Sequence, residues 1–310
     1  MFTVGLDVDR LEGYEELCSQ KIELYAGSPK MSNFYSPLGE TLGKIYKRGE
    51  SAGNKRDYAK WEELPKVSDH VGKRRELKEE EWGDYIAGLI DGDGNIGEGG
   101  ITIVFHESDV KLAYELKKKI GYGNVYKLKD KKAYRLVIRK NEGIKKVMEM
   151  INGRLRTEKK VNQMIKYNMI EVKPKREDDD LRNYWLAGFA EADGSFVISA
   201  TKSETIKVKK SVRLEFGIKQ KGEERLLNKI KKELKGGSVS YYKSADIHCY
   251  KSSGMKTARE VIRYFDEYKL RSNKYVSYLK YRKVYRMITR GEHLREEGIK
   301  KIESIRLKGS

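Results

Sequence analysis

The chain has 310 residues and is strongly basic, with 66 lysines and arginines against 47 aspartates and glutamates and a formal net charge of +19. No apolar run reaches the length of about 18 residues that a transmembrane helix needs, and the acidic start has the pattern of neither a signal peptide nor an arginine-rich transit peptide. The two cysteines, Cys18 and Cys249, fit neither a disulfide framework nor a zinc site.

The positive charge is concentrated after residue 80. Residues 1–80 hold 14 basic and 15 acidic residues, whereas residues 81–310 hold 52 and 32. A surplus of this size indicates a polyanionic partner, either nucleic acid or an anionic membrane. A soluble protein with a lysine-rich surface and no such partner is the alternative that charge alone leaves open.

In chain order, two similar blocks follow an N-terminal extension of residues 1–80, to which we assign no role. The first block, residues 81–170, opens with YIAGLIDGDGNIG and continues through GGITIVFHES, VKLAYELKKKIGYGNV, AYRLVIR and GRLRTEKKVNQMIKY. The second block, residues 181–290, opens with WLAGFAEADGSFV, 100 residues further on, and continues through SVRLEFGIKQK, ERLLNKIKKELKGGSV, DIHCYKS and YKLRSNKYVSYLKY. Their periodicities predict helix, two strands, helix, two strands and helix in each block. A charged linker, residues 171–180, joins the blocks, and residues 291–310 form a C-terminal tail.

Small residues recur on one face of each opening helix. Gly88 and Gly92 are four residues apart, and Gly188 and Ala192 occupy the same places in the second copy. Glycine costs a helix interior about 1 kcal/mol relative to alanine. Small residues at this spacing allow two helix backbones to approach closely, so the two helices are predicted to pack on each other.

Each opening helix is predicted to end at a glycine cap, Gly94 or Gly194, directly after an aspartate. Packing of the helices would bring Asp93 and Asp193 together, where two carboxylates about 4 Å apart repel by about 4 kcal/mol at an effective dielectric of about 20. Because helix C-termini are themselves partly negative, a cation is expected there. Oxygen ligands suit Mg²⁺, or Mn²⁺ as a substitute, and a basic protein with such a centre indicates phosphodiester hydrolysis.

Two alternatives exist for these aspartates. They could be ordinary acids at helix ends, although acids are disfavoured at helix C-termini and the chain has two matched cases. The spacing of Asp91, Asp93 and Asn95 also matches the start of a calcium-binding EF-hand loop. That alternative fails because the sixth position is Ile96 instead of glycine and the twelfth is Thr102 instead of glutamate.

The two motifs resemble those of the LAGLIDADG homing endonucleases. IAGLIDGDG matches the name at seven of nine positions and LAGFAEADG at six, and the resemblance covers about residues 61–290. The members that the chain resembles carry both motifs in a single chain and are encoded by group I introns of fungal mitochondria. It implies an α+β fold of two pseudo-symmetric αββαββα halves that pack through the LAGLIDADG helices, with two antiparallel sheets that form a DNA-binding saddle.

The resemblance also implies site residues. It assigns the metal site to the last residues of the motifs, which are Asp93, Asp193, Gly92 and Ala192. A polar residue at the end of the second strand belongs near the catalytic water, which nominates Glu107 and Gln220. A basic residue near the start of the last helix belongs near the scissile phosphate, which nominates Lys159 and Lys274, with Arg156 and Arg271 as rivals and a solvated helix face as the alternative. The earlier motif acids, Asp91 and Glu191, are expected to serve structure.

Strand residues that face DNA should alternate with core residues. The predicted DNA-binding positions in the first half are Thr102, Tyr126, Lys127, Lys129, Arg135 and Arg139, and those in the second half are Ser199, Thr201, Ser203, Arg213, Lys219, Tyr241, Lys243 and Lys251. The connection between the first two strands is the short GEGG in one half and the longer, basic TKSETIKVKKS in the other. The two halves are therefore expected to contact unlike half-sites.

The predicted function is that of a monomeric, metal-dependent homing endonuclease. The resemblance implies a double-strand break with short 3′ overhangs at a long, imperfectly palindromic DNA target, in support of intron mobility. Mg²⁺ is the expected cofactor, Mn²⁺ should substitute, and Ca²⁺ should support binding without cleavage. The alternatives are an RNA-binding maturase that assists splicing of a group I intron, alone or in addition, and a DNA-binding regulator. The predicted location is the mitochondrion, or otherwise another organelle or a prokaryotic cytoplasm, with no membrane partner.

Overall fold

The computed structural model describes residues 75–174, 180–204 and 206–307. Almost all of the predicted N-terminal extension and the middle of the linker, residues 175–179, lie outside the described residues. Within the described part of the chain, no helix is both long enough and apolar enough to cross a membrane.

Two halves with the same order of elements follow one another. The first consists of α1 (Glu79–Asp93), β1 (Gly94–Gly97), β2 (Gly100–His106), a 3-10 turn (Glu107–Asp109), α2 (Val110–Ile120), β3 (Asn124–Lys127), β4 (Ala133–Ile138), α3 (Asn141–Ile151) and α4 (Glu158–Tyr167). The second consists of α5 (Trp185–Asp193), β5 (Gly194–Lys202), β6 (Lys210–Lys221), α6 (Glu224–Glu233), β7 (Ser238–Tyr242), β8 (Ile247–Lys251), α7 (Gly254–Glu267) and α8 (Lys274–Thr289). A 3-10 turn (Glu292–Leu294) and α9 (Glu296–Leu307) come last.

Each half contains one four-stranded antiparallel sheet. The strand orders are β1-β2-β4-β3 and β5-β6-β8-β7, so the two sheets have the same topology. In β2, Ile101, Ile103 and Phe105 are buried while Thr102 and Val104 between them are partly exposed. One face of the sheet therefore joins the core, and the other, which we call the open face, is directed away from it. These features confirm the predicted fold class.

Each half carries one helix more than the predicted αββαββα pattern. Helices α3 and α7 stand between the last strand and the last helix of their halves. Helix α3 buries Ile144, Val147, Met148 and Ile151, whose spacing places them on one helix face. This amphipathic pattern was present in the sequence and could have predicted the helix.

The C-terminal segment, residues 291–310, contains a helix that packs against the second half. Helix α9 buries Ile299 and Ile302. Its Glu303 forms an ion pair with Lys210 of β6 at 2.5 Å. The structure thus places a packed helix where the sequence predicted a tail.

Helices α1 and α5 pack with their backbones in direct contact. A Cβ atom on Gly88 would lie 2.0 Å from the carbonyl oxygen of Trp185, and one on Gly188 would lie 2.0 Å from that of Tyr85. One turn further on, a Cβ on Gly92 would lie 2.3 Å from the Cβ of Ala192. No side chain larger than hydrogen fits at these three glycines without movement of the helices, so the predicted interface is confirmed.

The helix ends differ from the prediction in conformation. Gly94 and Gly194 follow the last helical residues, but their φ angles of −76° and −80° are extended and not left-handed. The chain enters a strand at once in both halves. Glycine is needed because a Cβ on Gly94 would lie 2.5 Å from the Cα of Ile90, and one on Gly194 would lie 2.7 Å from the carbonyl oxygen of Ala190. The reason for these glycines is space and not the backbone angle.

The variant Gly88→Ala tests the helix interface. We expect it to lower the free energy of unfolding by about 3 kcal/mol, because the added methyl group forces two helix backbones apart. Denaturant unfolding measures the change, and Gly99→Ala is the matched control because nothing lies within 4 Å of a Cβ at that position. If both variants unfold within about 0.5 kcal/mol of the parent, the interface does not have the described geometry.

Candidate active site

The two motif helices bring their final aspartates together. Asp93 is the last residue of α1 and Asp193 the last of α5. A Cβ on Gly92, next to Asp93, would lie 2.8 Å from the Oδ2 atom of Asp193. The Asp93 side chain is exposed and that of Asp193 is partly buried, so the pair is reachable from solvent.

The surroundings of this pair disfavour two negative charges. Desolvation raises the pKa of Asp93, although the positive charges of Lys274 and Lys160 oppose the effect. Desolvation and the charge of Asp93 raise the pKa of Asp193 to about 8, against the same two lysines and a hydrogen bond from Gln220. Asp93 is exposed to solvent even though desolvation is the main cause of its raised pKa. The site therefore favours the addition of positive charge.

Two lysines bind the carboxyl ends of the motif helices. Lys274, the first residue of α8, donates hydrogen bonds through Nζ to three carbonyl oxygens of α5, those of Ala190 at 3.0 Å, Glu191 at 2.8 Å and Ala192 at 3.3 Å. Lys160 of α4 donates to the carbonyl oxygen of Gly94. Only 6% of Lys160 is exposed, and burial lowers its pKa. Both cations offset the partial negative charge at a helix C-terminus.

Lys160, and not the predicted Lys159, is the lysine that the structure brings to the aspartates. Lys159 is exposed on α4 and is not among the charges that shift the pKa of either aspartate. The match of LRTEK with LRSNK paired Lys159 with Lys274, but the lysines that bind the motif helices occupy different helical positions, since Lys160 is the third residue of α4 and Lys274 is the first residue of α8. One helical position turns a side chain by about 100°, so the neighbouring lysine reaches the site.

The rival arginines lie elsewhere at the interface between the halves. The guanidinium of Arg156 stacks on the Trp185 ring, with 5.1 Å to the centroid, and that of Arg271 stacks on Trp82 at 4.8 Å. Arg271 also donates to Glu115 of the first half, at 3.0 Å from Nε to Oε1. These arginines join the two halves.

Gln220 is the only one of the two predicted strand-end residues that contacts a motif aspartate. Its Nε2 donates to Oδ2 of Asp193 at 2.6 Å. Glu107 instead lies in the 3-10 turn after β2, where its Oε1 is 3.4 Å from Nζ of Lys127. Strand register explains the difference. Gly94 pairs with Ile103, and Gly194 pairs with Ile218, so the residue that matches Gln220 is Phe105.

The surroundings of the two aspartates are consequently unequal. Asp193 has an amide partner, whereas the matching position beside Asp93 holds the buried ring of Phe105. The strand register relative to the motif glycines, Gly94 and Gly194, was the signal that could have matched Gln220 with Phe105. The prediction used the apparent end of each strand instead, and this selected Glu107.

The earlier motif acids hold the halves together. Asp91 is 3% exposed and accepts four hydrogen bonds. These come from the backbone N–H of Arg156 at 2.8 Å, the backbone N–H and the hydroxyl of Thr157 at 3.1 and 2.6 Å, and the indole N–H of Trp185 at 2.7 Å. Since Trp185 belongs to the second half, Asp91 links the two motif helices.

Glu191 makes the reciprocal contacts. Its carboxylate accepts from the backbone N–H of Ser272 at 3.0 Å, from the Ser272 hydroxyl and from the backbone N–H of Arg271. The hydroxyl of Tyr85, from the first half, donates to Oε1 at 3.0 Å. In each half the earlier acid thus fixes the loop that precedes the last helix, and with it the lysine on that helix.

Most of the predicted DNA-binding residues lie on or beside the open faces. Strand pairing places these positions there: Thr102, Tyr126, Arg135, Ser199, Thr201, Arg213, Lys219 and Lys251. Four others lie in turns or just beyond strand ends: Lys129, Arg139, Ser203 and Lys243.

Two of the predicted DNA-binding residues lie on the opposite face. Lys127 pairs with Tyr134 on the face that carries Phe105, and Tyr241 pairs with His248 on the face that carries Gln220. Tyr241 stacks on the His248 ring at 4.6 Å. The sequence placed these residues one position out of register, and a shift of one residue reverses the face.

The donor atoms of the centre suit a hard divalent cation. Within the described ranges, no cluster of three or more histidine, cysteine, aspartate or glutamate residues could enclose a metal ion. The centre instead offers two carboxylates and the neighbouring backbone carbonyl oxygens, of which that of Ala192 also accepts a hydrogen bond from Lys274 at 3.3 Å. Mg²⁺ is usually bound by one or two carboxylates together with water and substrate phosphates, so an open pair of aspartates fits it.

The chain is similar to known proteins both in its family model and in individual relatives. The family model described as LAGLIDADG endonuclease matches residues 99–170 and 186–285. The cox1 intron-2 37.2 kDa protein of Schizosaccharomyces pombe is 42% identical over 252 residues, which cover 77% of this chain and 76% of that protein. The small subunit of endonuclease SceI from Saccharomyces cerevisiae is 31% identical over 230 residues, which cover 67% of this chain but only 48% of the subunit.

Solved structures share the fold at lower identity. The meganuclease I-SmaMI bound to cleaved DNA superposes with a TM-score of 0.63 at 20% identity, covering 77% of this chain and 99% of that one. I-SmaMI with uncleaved DNA in the presence of calcium ions gives a TM-score of 0.57 at 19% identity over 74% and 98% of the two chains. I-LtrWI bound to its target DNA gives 0.60 at 21% identity over 75% and 99%. These matches confirm the resemblance that the two motifs predicted.

Stability should depend on pH through Asp193. Its pKa in the folded protein, about 8, lies above the value near 4 of an unfolded aspartate. The folded state therefore binds the extra proton, and the stability that this proton provides is lost as the pH rises from about 4 through about 8. In metal-free buffer, we expect the parent to lose on the order of 2 kcal/mol relative to Asp193→Asn between about pH 5 and pH 8.5.

Denaturant unfolding of the parent and the variant across this pH range measures the effect. Asp130→Asn is the control, because Asp130 is an exposed turn residue with a φ of 58°, which asparagine also adopts. Parallel pH profiles for the parent and Asp193→Asn would show that the aspartate pair is not in the described environment.

Proposed function

Because the chain belongs to the LAGLIDADG endonuclease family, we propose that it makes a site-specific double-strand break in DNA at one centre formed by Asp93 and Asp193. The observation that carries the proposal is the pairing of these two acids where the motif helices meet at their small residues. Each aspartate serves the hydrolysis of one strand. The expected product has short 3′ overhangs.

A divalent cation is part of the proposal. Asp93 and Asp193 would hold it, together with the backbone carbonyl oxygens of Gly92 and Ala192. When bound, such a metal polarises the phosphate, activates water and stabilises the leaving oxygen. Mg²⁺ is the proposed ion and Mn²⁺ its substitute. Ca²⁺ is proposed to support binding only, in line with the uncleaved DNA of the calcium-containing I-SmaMI complex.

The neighbouring side chains balance the negative charge of the centre and orient its carboxylates. Lys160 and Lys274 place positive charge beside the aspartates, where a DNA phosphate must approach and where negative charge grows in the transition state. Gln220 fixes one oxygen of Asp193 through its hydrogen bond. Phe105 offers no such bond to Asp93. The two strands are consequently cut in different surroundings.

The open faces of the two sheets are the proposed DNA-binding surfaces. Strands β1 and β2 have 4 and 7 residues, whereas the matching β5 and β6 have 9 and 12. The second half therefore reaches further along DNA than the first. A single chain with unlike halves fits a long target that is not a perfect palindrome, and it needs no second copy.

Intron mobility in mitochondria is the proposed biological role. Several relatives are named as intron-encoded endonucleases, and the Schizosaccharomyces pombe relative is named for a cox1 intron. A maturase that binds group I intron RNA is the alternative role. The presence of both Asp93 and Asp193 favours cleavage, because RNA binding requires neither carboxylate.

Asp93→Asn and Asp193→Asn test the catalytic pair. Each should abolish double-strand cleavage while DNA binding stays within about tenfold of the parent, since the change removes a metal ligand without adding bulk. The substrate is a duplex selected by the parent protein from a randomised library, with Mg²⁺, Ca²⁺ or EDTA in parallel reactions. Cleavage by either variant at the parental rate would remove that aspartate from the mechanism.

Lys160→Met and Lys159→Met form a matched pair of neighbours. Loss of the buried lysine should reduce the single-turnover cleavage rate by about tenfold or more, because its charge acts on both aspartates. Loss of the exposed Lys159 should leave the rate within about threefold of the parental value. Unfolding curves for both variants exclude a difference in folding, and equal rate losses would restore Lys159 as a candidate.

A further inference from the structure

A cationic cavity lies beside the open face of the first sheet, away from the aspartates. It has a volume of about 360 Å³ and is lined mainly by polar residues, among them Lys117, Tyr122, Asn124, Tyr126, Arg139 and Lys140. Three of these six are cations, and no carboxylate is present among the described lining residues. Lys117 donates a long hydrogen bond, 3.5 Å, to the side-chain oxygen of Asn124.

Strand pairing fixes the position of this cavity. Asn124 pairs with Val137 and Tyr126 with Arg135, so these residues lie on the open face. Strand β3 is the edge strand, three places from β1 in the sheet. With neighbouring strands about 4.8 Å apart, the cavity lies about 14 Å from the strand that leaves Asp93. It therefore belongs to the DNA-facing surface but not to the catalytic centre.

The second half does not repeat several of the residues that line the cavity. The strand registers match Val137 with Lys251, and the same offset matches Lys117 with Lys231 and Gly121 with Lys235. The counterparts of Tyr122, Tyr126, Arg139 and Lys140 are Gly236, Ser240, Ser253 and Gly254. Both tyrosines, Arg139 and Lys140 are therefore particular to the first half and are not a consequence of the repeated fold.

We propose that this cavity binds a backbone phosphate of duplex DNA on the first half's side of the cleavage position. Arginine and lysine donors, an amide and two phenolic rings match the oxygens and the sugar of a phosphodiester. The inference rests on the proposed function and deepens it. The short strands of the first half give that half little open face, and the cavity supplies a contact that fixes the DNA there.

The double variant Arg139→Ser/Lys140→Ser tests the cavity. Arg139 becomes the serine of its counterpart, and Lys140 is the N-cap of α3, where serine is a favoured residue, so the fold should be kept. Affinity for the selected duplex is measured from low to moderate salt. The slope of log affinity against log salt should become shallower by about 0.9, as expected for the loss of one phosphate contact.

Methylphosphonate substitution at single phosphates locates the contact. In the parent, one substitution on the first half's side should weaken binding, and in the double variant the same substitution should have no further effect. Lys111→Ala/Lys145→Ala is the control, since both lysines are exposed on helices of the same half and neither lines the cavity. It should leave the interference pattern unchanged.

The outcomes separate this inference from the proposed function. If the parent selects and cuts a duplex but the double variant shows the parental salt slope and interference pattern, the cavity inference is overturned and the nuclease stands. The cavity inference is also overturned if the double variant loses affinity only for group I intron RNA. If the parent binds no duplex at all, the proposed function fails and the cavity inference with it.

Discussion

The structure depends on the direct contact between the backbones of helices α1 and α5. At Gly88 and Gly188 a single Cβ atom would come within 2.0 Å of a carbonyl oxygen of the opposite helix. Two α-helices can approach this closely only where side chains are absent. The same contact determines how far apart the helix ends lie, and therefore how far apart Asp93 and Asp193 are. The glycines of the motif and its aspartates thus serve one purpose, which is to form a single centre from two halves.

The contacts around that centre link the two halves but differ between them. Asp91 and Glu191 accept hydrogen bonds from the loops before the last helices and from an aromatic residue of the opposite half. The lysines that follow those loops are positioned by the same contacts. Lys160 and Lys274 come from different helical positions, and only Asp193 has an amide neighbour among the residues described. A single chain permits such differences, because each half can change without altering the other.

The sequence predicted the features that come from repetition and periodicity. The two motifs, the small-residue faces and the alternating strands led to the fold class, the packed helices and the pair of aspartates. The sequence-based predictions were wrong where they depended on the exact position of a residue within a helical turn or a strand. Lys159 was chosen over Lys160 because the matched residues did not show which side of α4 is directed at the motif helices. Glu107 was chosen, and Lys127 and Tyr241 were placed on the open face, because strand register was not known. The orientation of a helix and the register of a strand result from tertiary packing. One residue turns a helical side chain by about 100° and moves a strand side chain to the opposite face.

A crystal structure of the chain with its selected DNA and Mn²⁺ tests the central claim most directly. An anomalous difference map identifies manganese, because the lighter atoms of protein, DNA and water scatter far less anomalously. We predict manganese between the ends of α1 and α5, with oxygens of both Asp93 and Asp193 and of DNA phosphates as ligands. Manganese bound by one aspartate alone, or bound away from the helix ends, would contradict the claim that the helix contact forms one shared centre.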